Sequence, residues 1–400
     1  MKKSLIALAA LASVAGVAQA QSTATIYGTL DVGYGSFDVQ KSGSAKSTQK
    51  GLMYNTNDSS RWGITTTEDI GGGVKAGVQI ESWIGGLPRN NFSYSAGAGA
   101  SGAGVAGTSG AVTNNFAQQG AGQSIDATSL GNRLLFVQLS SGAHTVRLGQ
   151  QSSLVRDAAV SFQADGSNVV GNLIGNDGSM THRAVAATYM YSAANGLTAA
   201  AAVANNTRQT DGMATLNTGN GYYAALRYTA GPLDAMAAYS SNKSGSYDTG
   251  VGVTTGSNSQ LGNPTQAMQS TLLKDVTTKI TVLGASYDLT VAKLYAQYGK
   301  VDATDALNAT SSGNNERHAY SVGARVPFGK AWAFAQLSEG KSRNSGGSYE
   351  GNWTGASYGV RYELSKRTYA YAVAGESKQD TSATANTKAN QYGAGLVHNF

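Results

Sequence analysis

Two neighbouring segments between Ser59 and Ile84 alternate between apolar side chains and polar or small ones. In the first segment, Trp62 and Ile64 alternate with arginine, glycine and threonine. The second segment places four aliphatic residues at every other position, namely Val74, Ala76, Val78 and Ile80. A period of two predicts β-strands with one apolar and one polar face, and the glycines at 71–73 predict a tight turn between them. Such a hairpin fits either a half-solvated sheet of a soluble protein or a barrel wall with lipid outside and water inside.

The same period of two recurs along the chain and favours the barrel. The alternating segments number roughly sixteen and have about 9–11 residues each, the length of a transmembrane β-strand. Short turns alternate with long polar connections, such as residues 38–58 and the Gly/Ala/Ser-rich second loop at 85–131. A barrel of an outer membrane has this arrangement because its short turns are periplasmic and its long loops extracellular. The sequence therefore predicts an all-β fold: a 16-stranded antiparallel transmembrane β-barrel with short periplasmic turns and long extracellular loops.

The composition agrees with this class of fold. Charged residues make up 13% of the chain, about half of the roughly 25% typical of soluble proteins. The chain has 21 tyrosines but only 8 phenylalanines, and tyrosine is enriched in the aromatic girdles of membrane barrels. We interpret two tyrosine pairs as girdle residues, Tyr189 with Tyr191 and Tyr369 with Tyr371. The absence of cysteine excludes disulfides and thiolate metal sites.

Residues 1–20 have the features of a secretory signal peptide. Lys2 and Lys3 form a charged start, residues 5–17 are largely apolar, and Ala18-Gln19-Ala20 is a small-x-small cleavage site. The apolar run is too short to span a bilayer as a helix. We therefore expect a signal peptide at 1–20 and a single transmembrane β-barrel at 21–400.

The sequence offers little support for catalysis. The four histidines, at positions 144, 182, 318 and 398, have no zinc-type spacing and no motif-embedded serine or carboxylate partner. No phosphate-binding glycine loop follows a strand and opens a helix. The basic residues are scattered rather than clustered, which argues against nucleic acid as a partner. We expect a protein that is not an enzyme and that has no metal or cofactor.

Four motifs resemble those of the general porins of beta-proteobacterial and neisserial outer membranes: IYGTLDVG, SRWGITTTEDIGGGVKAGVQIES, YELSKRTYAY and the closing GAGLVHNF. The resemblance covers nearly all of the chain after the signal peptide. It implies a homotrimeric channel in the Gram-negative cell outer membrane, passing ions and small hydrophilic solutes. It further implies contact with outer-membrane lipid and lipopolysaccharide, and an assembly signal at Phe400 for the outer-membrane assembly machinery.

The resemblance also implies a pore constriction. The third loop, about Ser152 to Thr181, would fold inward and bring acidic groups opposite arginines on the wall. By resemblance the wall residues are Arg61, Arg133, Arg183 and Glu81. Alternation places Arg61 and Glu81 on the polar face and adds Lys75 and Arg147. It puts Arg133 on the apolar face, unless a bulge or a position beyond the edge of the bilayer turns it inward. The acidic candidates of the loop, which could equally cap turns, are Asp157, Asp165 and Asp177.

A constriction with more arginine than carboxylate should favour anions, because guanidinium stays charged beside other cations. We therefore expect an ion-transporting porin that is weakly to moderately anion-preferring. One alternative is a solute-specific channel for an organic acid or a sugar on the same barrel. A second alternative is a surface adhesion or binding protein that uses the barrel as an anchor.

Overall fold

The computed structural model describes residues 23–84, 130–164, 168–208, 216–244, 276–305, 315–344, 350–382 and 385–400. The expected signal peptide and nearly all of the expected second loop lie outside the described residues. The described part contains one helix, α1 (Leu154–Ser161), and seventeen strands. The strands are β1 (Thr23–Lys41), β2 (Ser47–Tyr54), β3 (Arg61–Gly71), β4 (Val74–Trp83), β5 (Leu134–Ser141), β6 (His144–Ser152), β7 (Arg183–Ser192), β8 (Leu197–Arg208), β9 (Leu216–Ala230), β10 (Leu233–Ser244), β11 (Val276–Asp288), β12 (Lys293–Asp305), β13 (Asn315–Phe328), β14 (Ala331–Asn344), β15 (Glu350–Glu363), β16 (Thr368–Ser382) and β17 (Ala385–Asn399).

The sheet closes on itself. From β3 onwards each strand pairs antiparallel with the next, and β17 pairs with β1 so that Asn399 lies opposite Thr29. The last residue joins this seam, because Phe400 and Gly28 exchange two backbone hydrogen bonds of 3.0 Å. Closure matters because a lipid-exposed sheet edge would leave backbone groups without partners.

Strands β2 and β3 together occupy one position in the wall. Strand β2 pairs with residues 32–39 of β1, β3 pairs with residues 23–29, and residues 55–60 leave the sheet between them. Seventeen segments therefore form sixteen wall positions, which confirms the predicted 16-stranded barrel. The expected polar loop at 38–58 is wrong in part, because the end of β1 and the whole of β2 lie within it and satisfy each other's backbone groups.

The outer face of the wall is apolar and the inner face is mostly polar. On β5, Leu135 is 49% exposed on the outside, whereas Phe136 is 6% exposed on the inside. Exposed aromatic residues lie around the end of the barrel where the short turns are, namely Tyr189, Tyr228, Tyr287, Phe328, Tyr362 and Phe400. An apolar band with an aromatic girdle is what a lipid-facing barrel requires. No helix among the described residues is long and apolar enough to cross a membrane.

The two tyrosine pairs differ. Tyr189 and Tyr191 are exposed on the outside, at the girdle. Tyr369 and Tyr371 are 2% and 5% exposed because they face the inside, where the Tyr371 hydroxyl donates a 2.6 Å hydrogen bond to Asp31. The girdle interpretation is therefore wrong for the second pair, which lies on the inner face by its strand parity.

The third loop folds into the barrel, as the resemblance implied. Ser153 caps α1 by accepting a hydrogen bond from the Arg156 amide at 3.2 Å, and its hydroxyl donates to the His182 carbonyl at 2.8 Å. The apolar side of the loop packs on inward-facing wall residues, and the loop contributes Leu154, Val155, Ala158, Ala159, Phe162, Leu173, Ile174 and Met180 to this core. The inside of this barrel therefore contains a packed apolar core beside its polar lining.

Wall glycines let the loop approach closely. A Cβ on Gly375 would overlap the Val170 carbonyl oxygen, and one on Gly299 would come within 2.5 Å of the Met180 sulfur. Hydrogen bonds between the loop backbone and wall side chains then fix the loop, since the Gln336 and Gln391 side-chain oxygens accept from the amides of Ala164 and Val170 at 2.8 Å. The loop is thus seated along the wall rather than suspended in the lumen.

Candidate pore constriction

Glu81 lies at the centre of a charged cluster on the inner wall. Its carboxylate forms an ion pair with the Arg133 Nε and accepts a 3.0 Å hydrogen bond from the Tyr27 hydroxyl. The Arg61 Nε lies 3.8 Å from the same carboxylate. Strands β1, β3 and β4 position these groups, because Tyr27, Arg61 and Glu81 all have the inward parity. One carboxylate therefore holds two arginines in fixed positions.

Arg61 is held from a second side by the segment that leaves the sheet. Its Nη1 donates to the Ser59 carbonyl at 2.7 Å and to Asp58 at 3.2 Å. That segment is in turn fixed by Asp31, whose Oδ2 accepts hydrogen bonds of 2.7 Å from the amides of Asn57 and Asp58. With 26% of its side chain exposed, Arg61 is both oriented and open to solvent.

Arg133 reaches the inside although simple alternation points it outward. It precedes β5 in an irregular turn, where Gly131 has a φ of +75°. The Gln150 side chain donates to the carbonyls of Asn132 and Arg133 at 3.1 and 3.2 Å and holds this turn in place. The Arg133 guanidinium then stacks 4.1 Å from the centroid of the Trp83 ring. An irregular backbone before the strand, rather than a bulge within it, thus turns the side chain inward.

Two further arginines, Arg183 and Arg156, belong to the same cationic group. The Arg183 guanidinium lies 5.3 Å from the Trp83 ring; the residue is 8% exposed, and its Nε and Nη1 have no hydrogen-bond partner among the described residues. Arg156, on α1, donates to the Thr181 carbonyl at 2.6 Å. Arg61, Arg133 and Arg183 belong to the wall and Arg156 belongs to the loop, and the four interact electrostatically.

Asp157 is the acidic group that the third loop brings to this cluster. Burial raises the pKa of the Asp157 carboxyl, and the neighbouring Arg156 and Arg147 oppose that rise. Arg147 faces the inside on β6, stacks 4.3 Å from the centroid of the Phe136 ring, and its Nη2 donates to Gln138 at 3.4 Å. The loop acid and the wall arginines thus come together across strands that are distant in sequence.

The structure places the other expected constriction residues elsewhere. Lys75 has the inward parity but is exposed beside the 71–73 turn, six residues from Glu81 and therefore about 20 Å along the strand. Asp177 does not face the lumen: it is 1% exposed and forms a two-point ion pair with Arg317 of β13, at 2.6 and 3.0 Å. It anchors the loop to the wall, because a buried carboxylate requires a paired cation. Asp165 lies outside the described residues.

Sequence reasoning missed several members of the cluster. Arg156 sits three residues after the capping Ser153, so a helix-capping pattern was the available signal. Trp83 and Tyr27 have the inward parity of their strands and could have been found by the alternation that selected Glu81. The described residues contain no group of three or more His, Asp or Glu side chains that could hold a metal ion.

Solved structures share this fold. The anion-selective porin from Comamonas acidovorans superposes with a TM-score of 0.64 at 19% identity, covering 95% of this chain and 100% of that one. OmpT of Vibrio cholerae, in a trimer form, gives a TM-score of 0.59 at 15% identity, covering 95% of this chain and 99% of that one. At these identities the likeness establishes the fold alone.

Two curated outer-membrane porins match shorter segments. An outer membrane porin protein of Bordetella pertussis is 41% identical over 92 residues, which are 20% of this chain and 24% of that protein. Outer membrane porin protein 32 of Delftia acidovorans is 43% identical over 84 residues, 21% of this chain and 23% of that protein. The matched part thus spans about a quarter of the length of these curated relatives.

The family comparison covers far more of the chain. Residues 7–382 match the Gram-negative porin family, which is nearly the whole sequence. The family and the closed barrel point to a channel rather than an enzyme. The chain belongs to the Gram-negative porin family and lies in the outer membrane.

Proposed function

We propose that the protein is a channel for passive diffusion of ions and small hydrophilic solutes, with a preference for anions. The observation that carries this proposal is the charge balance of the constriction. Five arginines, at positions 61, 133, 147, 156 and 183, stand against Asp58, Glu81 and Asp157, which gives a net charge of 5 − 3 = +2. The anion-selective porin from Comamonas acidovorans, which shares the fold, supports a preference for anions over cations.

The arrangement suits selection by charge without chemical change of the solute. The Arg61 guanidinium is oriented by three oxygen contacts while about a quarter of its side chain stays exposed. Fixed cations beside a water-filled gap raise the local concentration of anions and lower that of cations. Polar solutes can replace the ordered water in such a gap, whereas apolar solutes lose hydration without compensation.

The test is the reversal potential of the reconstituted protein in a KCl gradient across a planar bilayer. We expect a potential that indicates chloride preference and a smaller preference in an Arg61→Gln variant. A potential that indicates potassium preference would refute the proposal. Saturable block of the current by a sugar or an organic acid at low concentration would instead identify a solute-specific channel. The absence of any conductance step would favour an adhesion barrel.

For its partners, we propose a homotrimer in contact with outer-membrane lipid and lipopolysaccharide. The trimer form of OmpT, a protein of the same fold, supports trimerisation, as do small residues such as Ala199 and Ala201, which let neighbouring walls approach closely. Oligomers that resist SDS and dissociate on heating are expected on gels, and a monomer in mild detergent would contradict the homotrimer.

We also propose that Phe400 is recognised by the outer-membrane assembly machinery, and that residues 1–20 are removed as a signal peptide. Deletion of Phe400 should slow assembly, and the mature N-terminus should be Gln21.

A further inference from the structure

Residues 55–60 leave the sheet between β2 and β3 and turn into the barrel, and we call them the inward segment. Asn55, Thr56 and Ser60 are fully buried. The segment begins at Asn55 with a φ of +62°, a left-handed conformation that asparagine tolerates better than most residues. The Asn55 side-chain oxygen accepts a 2.6 Å hydrogen bond from the Ser60 amide and so closes the segment on itself. Because the next residue is Arg61, the shape of the inward segment determines where the Arg61 side chain begins.

Asp31 of β1 holds the inward segment in place. Its side chain is fully buried, and no ion pair among the described residues neutralises it. Instead, Oδ2 accepts hydrogen bonds of 2.7 Å from the amides of Asn57 and Asp58, and Oδ1 accepts one of 2.6 Å from the Tyr371 hydroxyl. The Asp31 amide adds a fourth hydrogen bond, to the Ser60 Oγ at 3.0 Å. Movement of the segment would leave a buried carboxylate without two of its three donors, which is costly.

The wall has room for this arrangement because glycines lie beside it. A Cβ on Gly33 or on Gly395 would come within 2.6 Å of the Tyr371 hydroxyl. A Cβ on Gly393 would come within 2.5 Å of the Thr56 methyl group. Larger residues at these positions would therefore displace either the Tyr371 side chain or the inward segment itself.

The inward segment is also tied to the third loop. One side chain of β17 contacts both, since the Gln391 nitrogen donates to the Thr56 carbonyl at 2.9 Å while its oxygen accepts from the Val170 amide at 2.8 Å. A second link joins the Ser59 hydroxyl, as donor, to the Asn168 side-chain oxygen at 3.4 Å. The inward segment and the third loop are therefore held together inside the barrel, and the segment has little freedom to move independently.

We propose that Asp31 is a positioning residue for Arg61 and thereby contributes to the ion preference of the channel. The connection runs through Asp58, whose amide is held by Asp31 and whose carboxylate accepts a 3.2 Å hydrogen bond from the Arg61 Nη1. The Ser59 carbonyl accepts from the same Nη1 at 2.7 Å. On its other side the Arg61 Nε lies 3.8 Å from Glu81. Without the inward segment, the guanidinium would move onto Glu81, which would neutralise more of its charge.

The experiment measures the chloride-to-potassium permeability ratio of the reconstituted full-length protein in a KCl gradient. Asp31→Asn and Asp31→Ala remove the same charge, but only asparagine retains the hydrogen bonds. Its oxygen can accept from the two backbone amides while its nitrogen donates to the Tyr371 hydroxyl. We expect the ratio of Asp31→Ala to be about twofold lower than that of Asp31→Asn. This is the effect on chloride of a unit charge that moves from about 4 to about 7 Å away in salt-screened water.

The Arg61→Gln background separates positioning from a general loss of structure. With no guanidinium at position 61, the two Asp31 variants should give equal permeability ratios. A difference of the same size in that background would show that Asp31 acts on the barrel as a whole, and it would overturn the proposal. Equal ratios for the two variants in the presence of Arg61 would also overturn it.

Asn55→Gly is the second variant, for use if Asp31→Ala gives no normal conductance steps. Glycine adopts the positive φ of this position but lacks the oxygen that binds the Ser60 amide. The permeability ratio should again fall when Arg61 is present and stay constant in the Arg61→Gln background; an unchanged ratio in both would refute the positioning role. The inference rests on the proposed channel function, but the two fail separately. The sign of the reversal potential of the unmodified protein tests the anion preference, whereas the comparison between variants tests the position of Arg61 whichever ion is preferred.

Discussion

Replacing Glu81 by glutamine isolates the electrostatic contribution of the constriction, because the amide keeps the size of the side chain and removes its charge. The amide oxygen can still accept from the Arg133 Nε, and the amide nitrogen, which replaces the oxygen facing Tyr27, can donate to the Tyr27 hydroxyl. The variant then carries five arginines against Asp58 and Asp157. We expect its anion preference to rise.

The magnitude follows from the distance between Glu81 and Arg61. The Arg61 Nε lies 3.8 Å from the carboxylate, so an anion on the far edge of the guanidinium is about 7 Å from it. In water, a unit charge at that distance contributes about 0.6 kcal/mol. A Debye length of about 10 Å at 0.1 M salt roughly halves this value. Chloride gains and potassium loses about 0.3 kcal/mol each, so the permeability ratio rises roughly threefold.

The assay is the reversal potential at about 0.1 M and at about 1 M KCl, where the Debye length of ~3 Å should remove most of the effect. Glu68→Gln is the matched control, because the same chemical change then lies outside the lumen near the 71–73 turn; it should leave the ratio unchanged. An unchanged or lower ratio for Glu81→Gln, with normal conductance steps, would refute the electrostatic reasoning.

Three further outcomes are expected. Arg317→Gln leaves Asp177 buried without its cation, so we expect a loss of about 3–5 kcal/mol and a lower temperature of the heat-induced shift on gels; Arg227→Gln, whose side chain is 40% exposed, should lose less than about 1 kcal/mol. Gly375→Val should displace the third loop and change the unit conductance, whereas Ala374→Val on the outer face should not. Burial raises the pKa of Asp157 above its ordinary value of about 3.9. Lowering the pH from neutral should therefore protonate Asp157 before ordinary carboxyls and increase the anion preference, and returning to neutral pH should reverse this. Asp157→Asn should show the higher anion preference at acidic and at neutral pH alike.

The alternation of residue types along the chain is enough to predict the barrel and the inward-facing residues of much of its wall. A period of two predicted the strands, and the alternation of short turns with long connections predicted which end is periplasmic. The alternation also assigned Glu81, Arg61 and Arg147 to the inner face of the barrel, because strand parity is a local property of the backbone. The inward third loop and the residue Arg183 came from the resemblance to porins rather than from the pattern.

Height along the barrel and pairing across it depend on contacts between distant segments. Lys75 and Glu81 share one parity. The turn predicted at 71–73 places Lys75 near the rim, but only the position of the folded third loop shows that Glu81 lies at the height of the constriction. Arg133 faces inward because an irregular turn held by Gln150 departs from strand geometry. The sequence next to Arg133 does not show that Gln150, 17 positions away, holds this turn.

The tertiary structure also decided which charges face the lumen and which ones form buried ion pairs between the loop and the wall. Asp157 and Asp177 are both aspartates of the third loop, but Asp177 pairs with Arg317 of β13, 140 positions away, while Asp157 lies among the arginines of the candidate constriction. Closing the sheet sets the distances between these charged side chains, because it places residues from many strands around one lumen. Burial then determines which of the charges need an oppositely charged partner.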